Sequence, residues 1–171
     1  MQAQSHPGPI LLIVALIVAS CDADATFHRL EAGGLFSFNA YNGIIDVTLN
    51  EEVSFLPIEP VAFTLGGEQE LHNTSFNSVL YLGAQYRFRI GKFTLPAGIL
   101  FGLKTIRIGA MQDRYSLLGL DSGVFYALAR QASLRLRYRF STVLASNISL
   151  RHQVLIGLAF SLWESRRSHG S

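Results

Sequence analysis

The stretch VLYLGAQYRFRI, residues 79–90, alternates between two kinds of side chain. One set is wholly apolar: Leu80, Leu82, Ala84, Tyr86, Phe88 and Ile90. The other set ends on two arginines: Val79, Tyr81, Gly83, Gln85, Arg87 and Arg89. A period of two places the two sets on opposite faces of a β-strand. The pattern therefore predicts a strand with one unbroken apolar face and cations on the other.

The same alternation recurs along the chain and is strongest around Arg135, Arg137 and Arg139, which alternate with apolar residues. Eight candidate strands result: residues 30–41, 43–49, 53–65, 79–90, 93–105, 115–128, 133–144 and 153–163. The third is the weakest, because Pro57 and Pro60 cannot donate to a β-ladder. Gly91-Lys92 is read as a tight turn, and residues 66–75 as the longest polar loop.

The lengths of these segments, about 11–13 residues in the clearest cases, are sufficient to cross a bilayer at the usual strand tilt. Apolar residues make up 49% of the chain and charged residues 15%, well below the roughly 25% charged of soluble domains. In lipid every backbone polar group must pair internally, so a spanning sheet has to close. Eight strands close into a barrel whose interior is filled by side chains. We therefore predict an all-β, eight-stranded antiparallel transmembrane β-barrel.

An interior charge cluster is expected from the strand faces opposite the apolar ones. Its members are Arg87, Arg89, Lys104, Asp121, Arg135, Arg137 and Arg139. Buried cations need partners, and Asp121 and Asp46 are the acids on inward faces. Glu51, Glu52 or Glu59 could serve near the strand ends. Acids look scarce, so some arginines are expected near the mouths or in contact with water or an anion. Structural salt bridges are the favoured interpretation, and an anion-binding interior or a narrow pore is the alternative.

The N-terminal segment is typical of an export signal. Residues 10–19 are apolar and uncharged, too short for a membrane-spanning helix of about 20 residues but suited to a signal-peptide core. Ala23-Asp24-Ala25 fits a cleavage site, which predicts a signal peptide over residues 1–25, a barrel over 26–163 and a polar tail over 164–171. Alternatively, residues 18–21 resemble a lipobox, with a signal over residues 1–20 and lipidation at Cys21. The segment lacks the usual basic start.

The last candidate strand, HQVLIGLAFSLW, alternates apolar residues, carries Gly157 in its middle and ends on Trp163. It resembles the closing strand of small bacterial outer-membrane β-barrel proteins, of the eight-stranded OmpA- and OmpX-like class. The resemblance covers residues 76–163 well and 27–75 loosely, and the residues after Trp163 depart from it. It implies a location in the bacterial outer membrane, with membrane lipid and the barrel-assembly machinery as partners. We expect a monomer. We expect no nucleic-acid partner, because the net charge is only +2.

Catalytic chemistry has little support in the sequence, which shows no cofactor motif and no metal-ligand spacing. The segment Ala145-Ser146-Asn147 resembles part of the motif of lipid A deacylase barrels, but the preceding histidine is absent. Ser149 and His152 are three residues apart and so face opposite sides of a strand. We predict a non-enzymatic outer-membrane barrel with a structural or surface-binding role. The alternatives are a lipid A deacylase-like enzyme and a secreted, soluble, lipocalin-like barrel that binds an apolar ligand, with leucines inside and arginines outside.

Overall fold

Eight antiparallel strands form a closed barrel in the computed structural model, in which each strand pairs with its neighbours in sequence and β8 pairs with β1. The structure describes residues 29–41, 44–70, 76–108, 111–144 and 149–164. The strands are β1 (Arg29–Tyr41), β2 (Ile44–Ile58), β3 (Val61–Glu70), β4 (Phe76–Ile90), β5 (Phe93–Ile108), β6 (Met111–Ala129), β7 (Ala132–Leu144) and β8 (Ser149–Glu164). The predicted eight-stranded antiparallel barrel is confirmed. The predicted signal peptide, Cys21 and all of the tail beyond residue 164 lie outside the described residues.

The first half of the barrel differs from the sequence prediction in where its strands begin and end. The predicted strand over 53–65 is wrong, because the chain turns at residues 59–60 and divides that segment between β2 and β3. The two prolines explain the division. Pro60 lies in the turn, and Pro57 lies in β2 where the register with β3 shifts between Phe55 and Ile58. Neither position needs a donated ladder hydrogen bond. In addition, β3 continues to Glu70, so half of the predicted loop over 66–75 is strand.

The two ends of the barrel are built differently. The turns at residues 59–60, 91–92 and 130–131, together with Arg29 and Glu164, lie at one end, here called the turn end. Gly91 adopts a φ of 60°, a left-handed conformation that glycine reaches without the steric cost of a side chain. The last residues of β1, β3, β5 and β7 and the first residues of β2, β4, β6 and β8 lie at the opposite end, here called the loop end.

The barrel exterior is almost wholly apolar. Leucine, isoleucine, valine and phenylalanine side chains from all eight strands point outward, and Leu82 and Ile90 are more than 60% exposed. A soluble barrel would hide these side chains, so the lipocalin-like alternative is wrong for this fold. Among the residues that the structure describes, no helix has the length and apolar character required to cross a membrane.

Glycines allow the large interior side chains to lie flat against the barrel wall. A Cβ placed at Gly66 would overlap the Tyr81 ring, and one at Gly123 would overlap Arg137 and the backbone of β7. Both pairs face each other across neighbouring strands. The absent side chains therefore create the space that Tyr81 and Arg137 occupy.

Candidate functional site: the buried charge network

Strand β7 supplies the centre of the interior. Arg135, Arg137 and Arg139 point inward at successive alternate positions and are only 1–2% exposed, whereas Leu134, Leu136 and Tyr138, which alternate with them, point outward. A guanidinium group held this far from water requires several acceptors, because an unpaired buried charge is strongly destabilising.

Glu52 on β2 and Asp121 on β6 hold the central arginine from two sides. Arg137 Nη1 pairs with Glu52, while its Nε donates to Asp121 Oδ1 at 2.9 Å and its Nη2 pairs with Asp121 Oδ2. The contact with Asp121 is a bidentate guanidinium–carboxylate pair, the strongest geometry for such groups. Glu52 also accepts from Arg135, and Asp121 Oδ2 lies 3.3 Å from Arg139 Nη2. The two carboxylates thus link all three β7 arginines.

Glu31 on β1 extends the network toward the turn end. Its Oε2 lies 2.7 Å from Arg87 Nη1 and also pairs with Arg135, and its Oε1 lies 3.2 Å from Arg29 Nε. The Phe125 ring lies beneath two of these cations, 4.5 Å from the Arg135 guanidinium carbon and 5.4 Å from that of Arg87. Cation–π attraction adds to the ion pairs in this water-poor region.

Glu68 on β3 serves the loop-end half of the network. It pairs with Arg151 of β8, lies 3.7 Å from Arg139 Nη1, and accepts a 3.1 Å hydrogen bond from Gln153 Nε2. Tyr81 connects this half to the centre, since its ring lies 4.3 Å from the Arg139 guanidinium carbon and its hydroxyl donates to Glu52 at 3.4 Å.

Uncharged side chains fill the rest of the loop-end interior. On β1 and β2 the hydroxyls and amides of Ser37, Asn39, Thr48 and Asn50 are buried and hydrogen-bonded to one another. On the opposite wall a hydrophobic cluster packs together: Val79, Tyr81, Leu100, Leu117 and Val143, with Tyr115 against it. The interior is thus filled by a polar side and an apolar side around the charges.

Five of the seven residues of the predicted cluster are brought together by the structure: Arg87, Asp121, Arg135, Arg137 and Arg139. Arg89 shares the inward alternation of Arg87, but its side chain is exposed at the turn end, where it lines the barrel mouth as expected for some of the arginines. Lys104 points inward from β5 toward the loop end, where it is half-buried and has an interaction partner.

The acids were partly misplaced by sequence reasoning. Glu31, Glu68 and Arg151 are buried members of the network that were not predicted. Glu31 shares the inward alternation of Leu35 and could have been found from it, whereas Glu68 fell in a segment read as loop. Counting described residues, four buried carboxylates meet five buried arginines, so the acids are one fewer than the arginines, in the direction expected from the sequence.

Glu51 is the acid whose predicted role fails most clearly. It was one of three acids that could serve the interior near the strand ends, but the inward positions of β2 are the even-numbered ones, including Thr48, Asn50 and Glu52. Glu51 therefore points outward from the middle of β2, and it lies between Gly34 of β1 and Gly67 of β3 in the register.

A cavity of about 840 Å³ opens at the turn end, below the network. Glu31, Arg87 and Phe125 line it on the network side, and Arg89 and Arg130 line it toward the solvent. Arg130 Nε lies 3.7 Å from Glu164 in an exposed ion pair, which contributes little to stability in water. The cavity stops at the side chains that fill the barrel centre.

No nucleophile and base come together among the described residues of β7 and β8. His152 points outward, and its Nδ1 lies 2.6 Å from the Tyr138 hydroxyl. Ser149 is on the opposite, inward-facing set of β8. Ser146 and Asn147, which carry the resemblance to the deacylase motif, lie outside the described residues. The described part of the chain also holds no group of three His, Cys, Asp or Glu side chains arranged to bind a metal.

Comparison with known proteins gives similarity in fold but not in sequence. No protein-family model matches the chain, and no curated protein matches it significantly. Among solved structures, Neisserial surface protein A is similar with a TM-score of 0.63 and 14% identity, over 81% of this chain and 98% of that one. The N-terminal β-barrel domain of Pseudomonas aeruginosa OprF has a TM-score of 0.55 and 11% identity, over 80% and 99%.

A third similar structure is the outer-membrane protein OprG of Pseudomonas aeruginosa, with a TM-score of 0.55 and 13% identity, over 83% of this chain and all of that one. At such identities the likeness establishes the fold. It agrees with the closed eight-stranded sheet described above. The chain is therefore an eight-stranded β-barrel of the bacterial outer-membrane type.

Proposed function

We propose that this protein is a non-enzymatic, non-conducting barrel of the bacterial outer membrane, with a structural role and a surface for binding at its loop end. The turn end, where both described termini lie, faces the periplasm, and the loop end faces outward. Short turns on the periplasmic side are the general rule for such barrels. The apolar exterior supports the location, because its side chains would otherwise meet water.

The observation that carries the proposal is the closed middle of the barrel. A water-filled pore leaves the side chains that line it accessible to solvent. Here Arg135, Arg137 and Glu52 lie at the centre with 1–2% of their surface exposed. The ion pairs among them, and the polar and apolar side chains around them, occupy the space that a channel would need. An eight-stranded barrel has an interior just wide enough for such side chains.

Planar-bilayer recording on the purified full-length protein tests the absence of a channel. We expect the bilayer conductance to stay at its protein-free value after insertion, because the charge network leaves no continuous water path. Regular single-channel steps would contradict the proposal. Insertion is verified in parallel by heat-modifiable gel migration of protein recovered from vesicles, so a silent bilayer is not mistaken for a closed barrel.

An activity assay on lipid A tests the absence of an enzyme. We expect no released fatty acid from lipid A incubated with the folded barrel, because Ser149 and His152 face opposite sides of β8. Deacylation by the wild-type protein that disappears in Ser146→Ala would establish the enzyme and overturn the proposal.

A further inference from the structure

Two arginines interrupt the apolar exterior near the loop end. On the outward faces of β4 to β7, Arg107 and Arg114 are the charged side chains, and both are exposed. They lie on neighbouring strands. Arg107 is opposite Gln112 and Arg114 is opposite Thr105 in the register, which makes the two arginines diagonal neighbours. Diagonal Cβ atoms on paired strands are about 7–8 Å apart or less, within reach of long side chains.

The outward residues below the arginines change in the same order on both strands. Toward the loop end, β5 presents Leu103, then Thr105, then Arg107. Its partner β6 presents the equivalent series of Leu118, then Ser116, then Arg114. Each strand thus passes from hydrocarbon-compatible to hydroxyl-bearing to cationic side chains, the order met in passing from the membrane core to its headgroups.

The register also places both arginines at the rim of the barrel. Arg107 lies at the last position that β5 pairs with β4, opposite Phe76. Arg114 belongs to the part of β6 that extends beyond its first pairing with β7 at Ser116. A position at the rim, above the apolar band, is where the charged end of an arginine reaches the headgroup region while its stem covers apolar surface.

Neither guanidinium has an acidic partner within the described part of the chain. No hydrogen bond or ion pair joins Arg107 or Arg114 to a described residue, and the nearest acid in sequence, Asp113, is on the opposite face of β6. Two like charges side by side repel each other. An anion between them would remove that repulsion and satisfy both groups, and phosphate matches the planar donors of arginine well.

We infer that Arg107 and Arg114, with the hydroxyls of Thr105 and Ser116, form a binding site for the phosphate headgroup of an anionic membrane lipid. The lipid tails would lie along the leucines below, and the phosphate would lie between the two guanidinium groups. This site is separate from the interior network, although it rests on the membrane location proposed above.

Native mass spectrometry of the full-length barrel released from detergent micelles tests the site. The probes are phosphatidylglycerol and phosphatidylcholine with the same acyl chains. We expect wild-type protein to bind phosphatidylglycerol more tightly by about 10- to 30-fold, since each surface arginine contributes about 1 kcal/mol toward an anionic lipid. The double variant Arg107→Gln/Arg114→Gln should lose nearly all of this preference, and Arg107→Lys/Arg114→Lys should keep most of it.

The matched control is Arg89→Gln/Arg130→Gln, which removes the same charge from exposed arginines at the turn end and should keep the preference. Equal loss in both glutamine pairs, or no preference in wild type, would overturn the inference. Displacement of phosphatidylglycerol by an equal concentration of inorganic phosphate would also overturn it, since the site would then bind free anions.

Folding is checked for every variant by heat-modifiable gel migration. If the double glutamine variant does not fold, the single variants replace it, each expected to lose about half of the free-energy preference. A chain that stays soluble without detergent would refute the membrane location itself, whereas a folded barrel in micelles without lipid preference refutes only the lipid site.

Discussion

Arg137 on β7 and Glu52 on β2 form an ion pair through the interior of the barrel, between strands that are three positions apart around the wall. Both side chains are 1% exposed. Such a pair connects distant parts of the sheet. If one member is lost, the other stays buried and cannot be solvated. The consequence is that each member is required mainly because the other is present.

Replacing Glu52 with glutamine should destabilise the barrel strongly. The carboxylate serves both Arg135 and Arg137, so its loss leaves two buried guanidinium groups short of charge compensation, at a cost of about 3–5 kcal/mol. The free energy of unfolding is measured by urea titration of the protein folded into lipid vesicles. Glu59→Gln is the control, since Glu59 is exposed in a turn, and it should change stability by less than about 0.5 kcal/mol. Equal effects of the two would contradict the network.

The neighbouring residue Glu51 should behave in the opposite way. Its side chain points outward from the middle of β2, where a carboxylate facing hydrocarbon is unfavourable. Glu51→Leu should therefore raise the free energy of unfolding in lipid vesicles by about 1–2 kcal/mol, less than the effect of a cation at this depth. Glu52→Leu is the matched comparison and should lower it. A destabilised Glu51→Leu protein would contradict this prediction and show that the carboxylate makes a stabilising interaction.

A methyl group at Gly66 should disturb the packing of Tyr81. A Cβ there would overlap the tyrosine ring, and the ring is held between Glu52 and Arg139, so it cannot move freely. Gly66→Ala should destabilise the barrel by about 1–3 kcal/mol. Gly34→Ala is the control, because no atom lies within 4 Å of a Cβ at Gly34. It should leave stability unchanged or slightly higher. Urea unfolding in vesicles measures the free energy of unfolding of both variants. Similar losses in Gly66→Ala and Gly34→Ala would argue against the position of the Tyr81 ring.

The depth of the membrane along the strands can be tested with a lysine at two outward positions. Leu136 lies near the middle of β7, and Ile90 lies at the turn end of β4; both are exposed. Leu136→Lys should cost about 2–4 kcal/mol in lipid vesicles, whereas Ile90→Lys near the interface should cost about 0–1 kcal/mol. If the two costs are equal, these faces do not meet a bilayer.

The clearest strands were predictable because their alternation is complete. Arg135, Arg137 and Arg139 separated by apolar residues fix both the strand and its inward face, since a shift by one residue would turn the arginines to lipid. The segment around Pro57 and Pro60 was not predictable in the same way. A proline there fits either a turn or a register shift in a strand, and only the pairing of β2 with β3 distinguishes the two.

The ion pairs inside the barrel were also predictable only in part from the sequence. Asp121 and the arginines that it pairs with, Arg137 and Arg139, were all assigned inward from their own strands. Arg87 was assigned inward as well, but its partner Glu31 of β1, 56 residues away in sequence, was not. Glu31 and Glu68 looked like acids in poorly patterned or loop-like segments. Nothing in the local sequence states which strands face each other across a closed barrel.

By itself, the alternation of side chains along the chain determined that this protein forms long antiparallel strands with an apolar face outward. The alternation within each strand assigns its two faces without reference to the rest of the chain. The closed tertiary structure decided which charges meet inside, where the turns fall in the proline-containing half, and that Glu51 faces outward while Glu52 faces inward. These outcomes depend on strand register and barrel closure, which bring together residues that are distant in sequence.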